Sequence, residues 1–323
     1  LRSQIISTVT AVENAFYELI YAIENVKVQR DALELAQTQL DQDKQRVQVG
    51  SLAPLDVQQD EAQVAQSRAN LILAESTYGT DLRVLNNLIT DSYAQTYAAP
   101  IQPTMSLESP MVLFDLQDSW TKGMSSRPDL IQARLSLEQQ GIQLKYLRNQ
   151  LWPEIDFIGS YGFNGSGGSY NDSIQQMNDG SRPFYSYGGQ LSIPLSSTRT
   201  RNQLNAGKAN EKALLLRVKQ LEQSIMAQID NAVGVARSDY QSVEASRQAR
   251  VYAEAALEAE QKKYAVGKST TFTVLQLQNK LTNARSQEIR ALADYNKALA
   301  SLAAAEGTTL VRRNIDIDRK SVV

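Results

Sequence analysis

One long stretch of this chain is written twice. Placing Gly50 on Gly267, an offset of 217 (267 − 50), aligns residues 7–89 with 224–306 without a gap. Eighteen positions are identical, among them Asn14/Asn231, Ala15/Ala232, Arg30/Arg247, Val49/Val266, Gly50/Gly267, Val57/Val274, Tyr78/Tyr295, Leu82/Leu299 and Leu85/Leu302. A repeat of this length decides the architecture before any local reading, because each copy is one structural unit. The second unit begins near Arg127, and 127 − 217 = −90, so about ninety residues of the first unit are expected upstream of Leu1.

Within each copy the apolar residues follow a helical seam. Ile5, Val9, Val12, Phe16, Leu19, Ile23, Val26, Leu33, Leu40 and Val47 recur at three-and-four spacing, the pattern of shallow-angle coiled-coil packing. Arg30, Gln37 and Lys44 interrupt the seam, which predicts a solvated or opening tip at Gly50. Pro54 suits the first turn of a new helix, where its missing N–H costs nothing. The return helix carries Val57, Val64, Leu71, Tyr78, Leu82, Leu85 and Ile89, so the two helices form an antiparallel hairpin. In the second copy no proline falls between Thr198 and Val266, which at 1.5 Å per residue predicts a helix of roughly 100 Å. Its partner is dense in alanine (Ala284, Ala291, Ala293, Ala298, Ala300, Ala303), as in a helix with close neighbours on two sides.

Composition removes several function classes. With 33 basic and 35 acidic residues there is no electrostatic footprint for nucleic acid. No Cys means no disulfide and no thiolate chemistry, and no His removes the commonest general base and metal ligand. No run of apolar residues is long enough for a transmembrane helix. No cofactor, phosphate loop or nucleophile–base pair is expected. Asp41, Asp43, Glu254, Glu258 and Glu260 are read as solvated carboxylates on exposed helix faces rather than paired catalytic acids.

Between the hairpins the pattern changes. Pro100, Pro103 and Pro110 make 90–126 a connector with a short helix around Leu116–Lys122, and 127–152 returns to helix until Trp152-Pro153. Residues 153–196 then show a period of two. Ile155, Phe157, Gly159, Tyr161 and Phe163 share one face, as do Tyr185, Tyr187, Gly189, Leu191, Ile193 and Leu195. The opposite face is small or polar. Each strand is about ten residues, the length that crosses a bilayer at a tilt, and aromatics gather at the strand ends as in membrane-barrel girdles. Residues 165–183 read as a polar loop. An isolated two-stranded ribbon is marginal in water, so these strands are expected to join others from other chains.

The order helix, strand, long loop, strand, very long helix, tip and helix resembles the TolC family of outer-membrane efflux proteins. Arg127-Pro128-Asp129-Leu130 is similar to the family's helix start, Leu151-Trp152-Pro153 to its barrel entry, and Leu191-Ser192-Ile193-Pro194-Leu195 to its strand exit. Val49-Gly50 and Val266-Gly267, followed by Val57 and Val274, resemble its hairpin tips. Two departures stand out. A single strand pair is present, and Ser196-Ser197-Thr198-Arg199 replaces the family's Phe-Asp-Gly-Gly-like turn.

The resemblance implies a mainly α fold: duplicated antiparallel helical hairpins of a coiled-coil α-barrel, with one β-hairpin belonging to a transmembrane β-barrel. It implies a homotrimer whose protomers each give four strands to a twelve-stranded barrel in the outer membrane of a Gram-negative bacterium, continued by helices through the periplasm. The domains implied are a first hairpin (1–89), connector (90–126), second-repeat helix (127–152), β-hairpin (153–196), second hairpin (197–307) and tail (308–323), connector and tail forming an equatorial band. The implied role is a passive duct for efflux or type I secretion, fed by an inner-membrane pump through a periplasmic adaptor.

Site residues follow from the same resemblance. Val49, Gly50, Val266 and Gly267 would dock the adaptor, although each glycine also reads as a left-handed helix C-cap. Family members commonly line the aperture with acids on the second return helix, where this chain has Thr273 and Gln276. Asp56 matches the tip aspartate, Asp60 lies one turn further on, and Tyr264 matches a tip tyrosine suited to bonding a neighbouring helix. Asp56 and Tyr264 are expected to hold the tip closed. Phe157, Tyr161, Phe163, Tyr185, Tyr187, Leu191 and Ile193 would face lipid. A periplasmic adaptor or a purely structural coiled coil are the competing readings. Adaptors normally carry one hairpin between lipoyl-like β segments, and a structural coiled coil would need no detergent.

Overall fold

The computed structural model describes residues 1–92, 94, 101–193 and 198–316. The expected strand exit at Pro194 and Leu195, the turn at Ser196-Ser197, Pro100 and the end of the tail lie outside these residues. Helices α1 (Arg2–Gln48) and α2 (Pro54–Ile89) form the first hairpin. Helices α3 (Leu116–Ser126) and α4 (Pro128–Asn149) follow, then strand β1 (Glu154–Phe163), helix α5 (Tyr170–Asn178) and strand β2 (Pro183–Ser192). The second hairpin is α6 (Thr198–Ala265) and α7 (Thr271–Glu306), with a final turn α8 (Thr309–Arg312).

The repeat is reproduced to the residue. α1 and α6 end at Gln48 and Ala265, α2 and α7 begin at Pro54 and Thr271, and they end at Ile89 and Glu306, each pair 217 apart. The chain divides into two compact units, Leu1–Asp129 with Glu222–Val323, and Leu130–Leu221.

In the first unit α1 packs against both α2 and α7. Ala15, Leu19 and Leu85 close the first hairpin, flanked by Phe16, Ile23, Tyr78 and Leu82. Ala236, Val243, Ala291, Tyr295, Ala298 and Leu299 close the second, and Ala253, Leu257, Tyr264, Val274, Leu281 and Ala284 continue it toward the tip. Alanines on α7 let α6 and α1 both approach, as their density predicts. Polar ties join the repeats. The Ser286 hydroxyl donates to Asn25 Oδ1 at 2.9 Å, and Gln63 and Asn279 exchange two amide bonds of 2.9 Å. Arg290 donates to both Glu18 oxygens at 2.8 and 3.2 Å, and Lys297 joins the same carboxylate.

The copies differ where the connector crosses. Tyr78 is half-buried, whereas its equivalent Tyr295 is fully buried and donates to the Pro110 carbonyl at 2.7 Å. Asn296 Nδ2 donates to the Glu108 carbonyl at 2.9 Å, so two side chains of α7 hold this proline-rich segment. α3 is longer than the sequence suggests and is capped by Asp115, whose carboxylate accepts from the backbone N–H of Gln117 at 3.0 Å.

In the second unit α4 lies on the start of α6. A Cβ at Gly207 would come within 2.8 Å of Leu144 and 3.1 Å of Leu147, and Gln140 bridges to the Gly207 carbonyl and to Asn210. Gly141 lies on the half-buried side of α4, while Ile142 is exposed. The β1–β2 ribbon is antiparallel, and its register sets Ile155 opposite Leu191, Phe157 opposite Gly189, Gly159 opposite Tyr187 and Tyr161 opposite Tyr185. The expected polar loop 165–183 is corrected by α5, a two-turn helix whose Ser169 hydroxyl accepts from the Asp172 N–H. That short cap signal lies inside a Gly- and Ser-rich stretch that reads as loop.

Candidate functional site: two helical tips and an exposed aromatic ribbon

Both tips end in the same backbone device. At the first, Gly50 N–H donates to the Val47 carbonyl at 3.0 Å and Ser51 N–H to Arg46 at 2.9 Å; at the second, Gly267 donates to Tyr264 at 3.0 Å and Lys268 to Lys263 at 2.9 Å. These are Schellman caps, and Gly50 and Gly267 adopt φ of +74° and +71°, which a side chain would strain. No atom lies within 4 Å of where a Cβ would stand on either, so the left-handed backbone, not crowding, selects glycine here.

Val49 and Val266 are highly exposed at these caps. Leu55 and Phe272 are exposed too, and they are equivalent positions (272 − 55 = 217). Sequence reading missed this second apolar pair, although the repeat alignment itself sets one beside the other. The first tip re-enters helix through Ala53-Pro54 with no side-chain cap, whereas Thr270 Oγ1 caps the second.

Below the tips the expected exposed carboxylate Asp43 is fully buried, which corrects its reading as solvation. Its Oδ2 accepts from Gln39 Nε2 at 2.8 Å and from the Tyr264 hydroxyl at 2.7 Å, and the Thr271 hydroxyl lies at 3.5 Å. The seam near the tip is therefore a polar core, not a solvated opening. Ala36, Gln39 and Asp43 occupy the buried line, while Gln37 and Lys44 point outward. Tyr264 hydrogen-bonds across to α1, as the sequence suggests, and burial pushes its hydroxyl up to about 12. The Arg46 guanidinium sits 4.5 Å over the Tyr264 ring and 3.7 Å from Asp43 Oδ1.

Asp60 is also fully buried, and neither of its oxygens has a hydrogen-bond donor among the described residues. Asp56, one turn earlier, is half-buried and does not join Tyr264; its N–H closes the first turn of α2 on the Ala53 carbonyl. Thr273 is half-buried and bonds Thr270, and Gln276 is exposed. Glu258 behaves as expected, pairing with Lys262 at 2.7 Å on an exposed face. Glu260, after Asp43, is a second exception among these carboxylates, being partly covered and accepting from both Lys263 and Ser269.

Arg127, quoted from sequence only as a motif residue, ties three segments together. Its guanidinium donates to both Asp129 oxygens at 3.0 and 2.6 Å, to Gln228 Oε1 at 2.8 Å and to the Ala305 carbonyl at 3.3 Å. Gly307 adopts a φ of +72° beside it, and a Cβ there would stand 3.1 Å from the Arg127 nitrogen and the Ser126 carbonyl.

The ribbon shows one apolar face to solvent. Phe157, Tyr185 and Tyr187 are 82%, 74% and 79% exposed, and Tyr161, Leu191 and Ile193 are exposed with them. Phe163 is less so, its ring 5.4 Å from that of Tyr161. On the other face Ser160 and Ser186 share a hydrogen bond of 2.6 Å. Large aromatics left in water in this number mark a contact surface. Among the described residues no helix is long and apolar enough to cross a membrane.

A family model described as outer membrane efflux protein matches residues 1–90 and 123–308, and the chain belongs to this family. It is 24% identical over 301 residues to the outer membrane protein TolC of Escherichia coli K12, covering 91% of this chain and 60% of that protein. It is 24% identical over 315 residues to the TolC of Vibrio cholerae, covering 95% and 69%. The chain thus spans about three fifths of the length of the Escherichia coli relative. Among solved structures, the Campylobacter jejuni CmeC outer membrane channel superposes with a TM-score of 0.78 at 15% identity, over 99% of this chain and 68% of that one. The open-state MtrE outer membrane channel of Neisseria gonorrhoeae gives 0.75 at 17% identity, over 96% and 68%. These structures share the fold of paired hairpins.

Proposed function

We propose that this chain is part of an outer-membrane channel subunit, a passive duct for export across the periplasm and outer membrane of a Gram-negative bacterium in a tripartite efflux or type I secretion system. The observation that supports it best is the exposed aromatic ribbon of a chain whose remaining mass is a duplicated hairpin. A two-stranded ribbon with one apolar face needs further strands and an apolar medium. In this reading Phe157, Tyr161, Phe163, Tyr185, Tyr187, Leu191 and Ile193 face lipid, and three copies of the full-length subunit, with four strands each, close the barrel.

The tips meet the periplasmic adaptor through Val49, Gly50, Val266 and Gly267, and the adaptor links them to an inner-membrane pump. The left-handed glycines leave open space at each cap, where a partner backbone can come close. Tyr264 helps hold the resting tip through Asp43, while Asp56, Thr273 and Gln276 border it. The duct needs no cofactor and performs no bond chemistry.

The full-length protein should fractionate with outer membranes, extract with detergent as a trimer, and conduct ions in planar bilayers. A monomer recovered from the soluble periplasmic fraction, with no bilayer conductance, would overturn this reading.

A further inference from the structure

Four helices meet below the tips, and they enclose two carboxyl groups. α1 brings Asp43, α2 brings Asp60, α6 brings Tyr264 and α7 brings Thr271; all four residues are buried. The donors are distributed unequally. Asp43 Oδ2 receives Gln39 and Tyr264 within 2.8 Å, while Asp43 Oδ1 and both Asp60 oxygens receive no hydrogen bond from the described residues. An ionised carboxylate buried without donors is strongly disfavoured, and beside a second carboxylate more so. A proton placed on Asp60 removes one charge and supplies a donor to its neighbour.

We propose that Asp60, facing the Asp43 carboxylate, holds a proton that locks α2 into the tip, and that losing it loosens the tip as pH rises past neutrality. Burial, and then the Asp43 carboxylate, push Asp60 up to about 7. The facing groups offer no substitute charge. On α1 the cation is Arg46, already engaged with Asp43 and the Tyr264 ring. On α2 itself Asp56 adds a like charge. Tyr264 on α6 stays neutral, and Thr271 on α7 is uncharged. An acid raised in the folded state contributes its stability in full below its unfolded value near 4 and loses it as pH climbs through the folded value. The tip is therefore tight in mild acid and loose in mild alkali. The second repeat lacks the device, because Leu277 stands where the first has Asp60 (277 − 60 = 217). This switch is a property of the four-helix packing and does not depend on the export role.

Hydrogen–deuterium exchange tests it, with rates corrected for intrinsic pH dependence and followed in peptides covering 40–62. Protection there should fall by up to about tenfold between pH 6 and pH 8.5, while peptides around Leu19 and Tyr295 hold constant. Asp60→Asn and Asp60→Leu should each abolish the pH dependence and keep the tip protected at pH 8.5. An infrared difference spectrum should show a protonated-carboxyl band at pH 6 that both variants lack. Unchanged protection across this range in the native chain would overturn the proposal, as would a pH response that survives in both variants. Protection at pH 6 that EDTA removes and calcium restores would also overturn it, since a cation would then hold the pair.

Discussion

The Tyr264 hydroxyl donates to Asp43 Oδ2 at 2.7 Å, joining residues 221 positions apart in a buried bond between the ends of α6 and α1. It is a tie between the two copies of the repeat. Tyr264 stands where the first copy has Val47, and Asp43 where the second has Glu260, so neither copy contains the pair alone. Tyr264→Phe keeps the ring against Arg46 and removes the donor from a buried carboxylate. Denaturant unfolding should show a loss of about 1–3 kcal/mol. A change below about 0.3 kcal/mol would mean that the bond adds nothing to the packing.

Arg127 should tolerate no replacement by lysine. Its planar guanidinium serves Asp129, Gln228 and the Ala305 carbonyl together, a geometry that a single ammonium does not reproduce. Arg127→Lys and Arg127→Ala are expected to destabilise by similar amounts, about 2–3 kcal/mol. Full rescue by lysine would show that charge alone matters there.

Three left-handed glycines separate backbone strain from crowding. Gly50→Ala and Gly267→Ala should each cost about 1 kcal/mol, since φ is positive but the space is open. Gly307→Ala adds contacts of 3.1 Å with the backbone of Ser126 and Arg127 and should cost clearly more. Equal melting-temperature shifts for all three would contradict this ordering.

Gly123 lies under Ile229, and a Cβ there would overlap the Ile229 Cδ1 atom. Gly123→Ala is expected to lose about 1–3 kcal/mol through overpacking. Adding Ile229→Ala to it should recover part of that loss in a double-mutant cycle. Simple additivity of the two changes would place the strain elsewhere.

On the ribbon, Phe157→Lys or Tyr187→Lys in the full-length protein should lower membrane-inserted yield, by about 2–4 kcal/mol if the site sits at mid-bilayer. Ser160→Thr and Ser186→Thr, on the opposite face, should not. Carbonate-washed membranes probed for the protein measure this directly. Equal yields for both faces would remove lipid contact as the reason for the exposed aromatics.

Much of this architecture is legible in sequence because it rests on short-range periodicity. The heptad seam, Gly50 and Gly267 fix where the hairpins turn, and alternation through Phe157 and Tyr187 fixes which face of the ribbon is apolar. What escapes is long-range and polar. Asp43 reads as a solvated charge because its donors come from Tyr264 and Thr271, more than two hundred residues away. Asp60 reads as a tip acid because its burial depends on the approach of three other helices. Arg127 shows only as a motif, since its partners at Gln228 and Ala305 meet it through tertiary packing. The α5 cap at Ser169 was available locally, but glycine and serine around it mask the signal.

The matched helix boundaries at an interval of 217 carry a consequence for how such a chain can change length. Adding one heptad to α1 and α2 alone would push that bend about 10 Å beyond its twin. The Tyr264–Asp43 and Gln63–Asn279 bonds would then each face the wrong turn. Growth or shortening of these hairpins is tolerated only when both copies are edited in step.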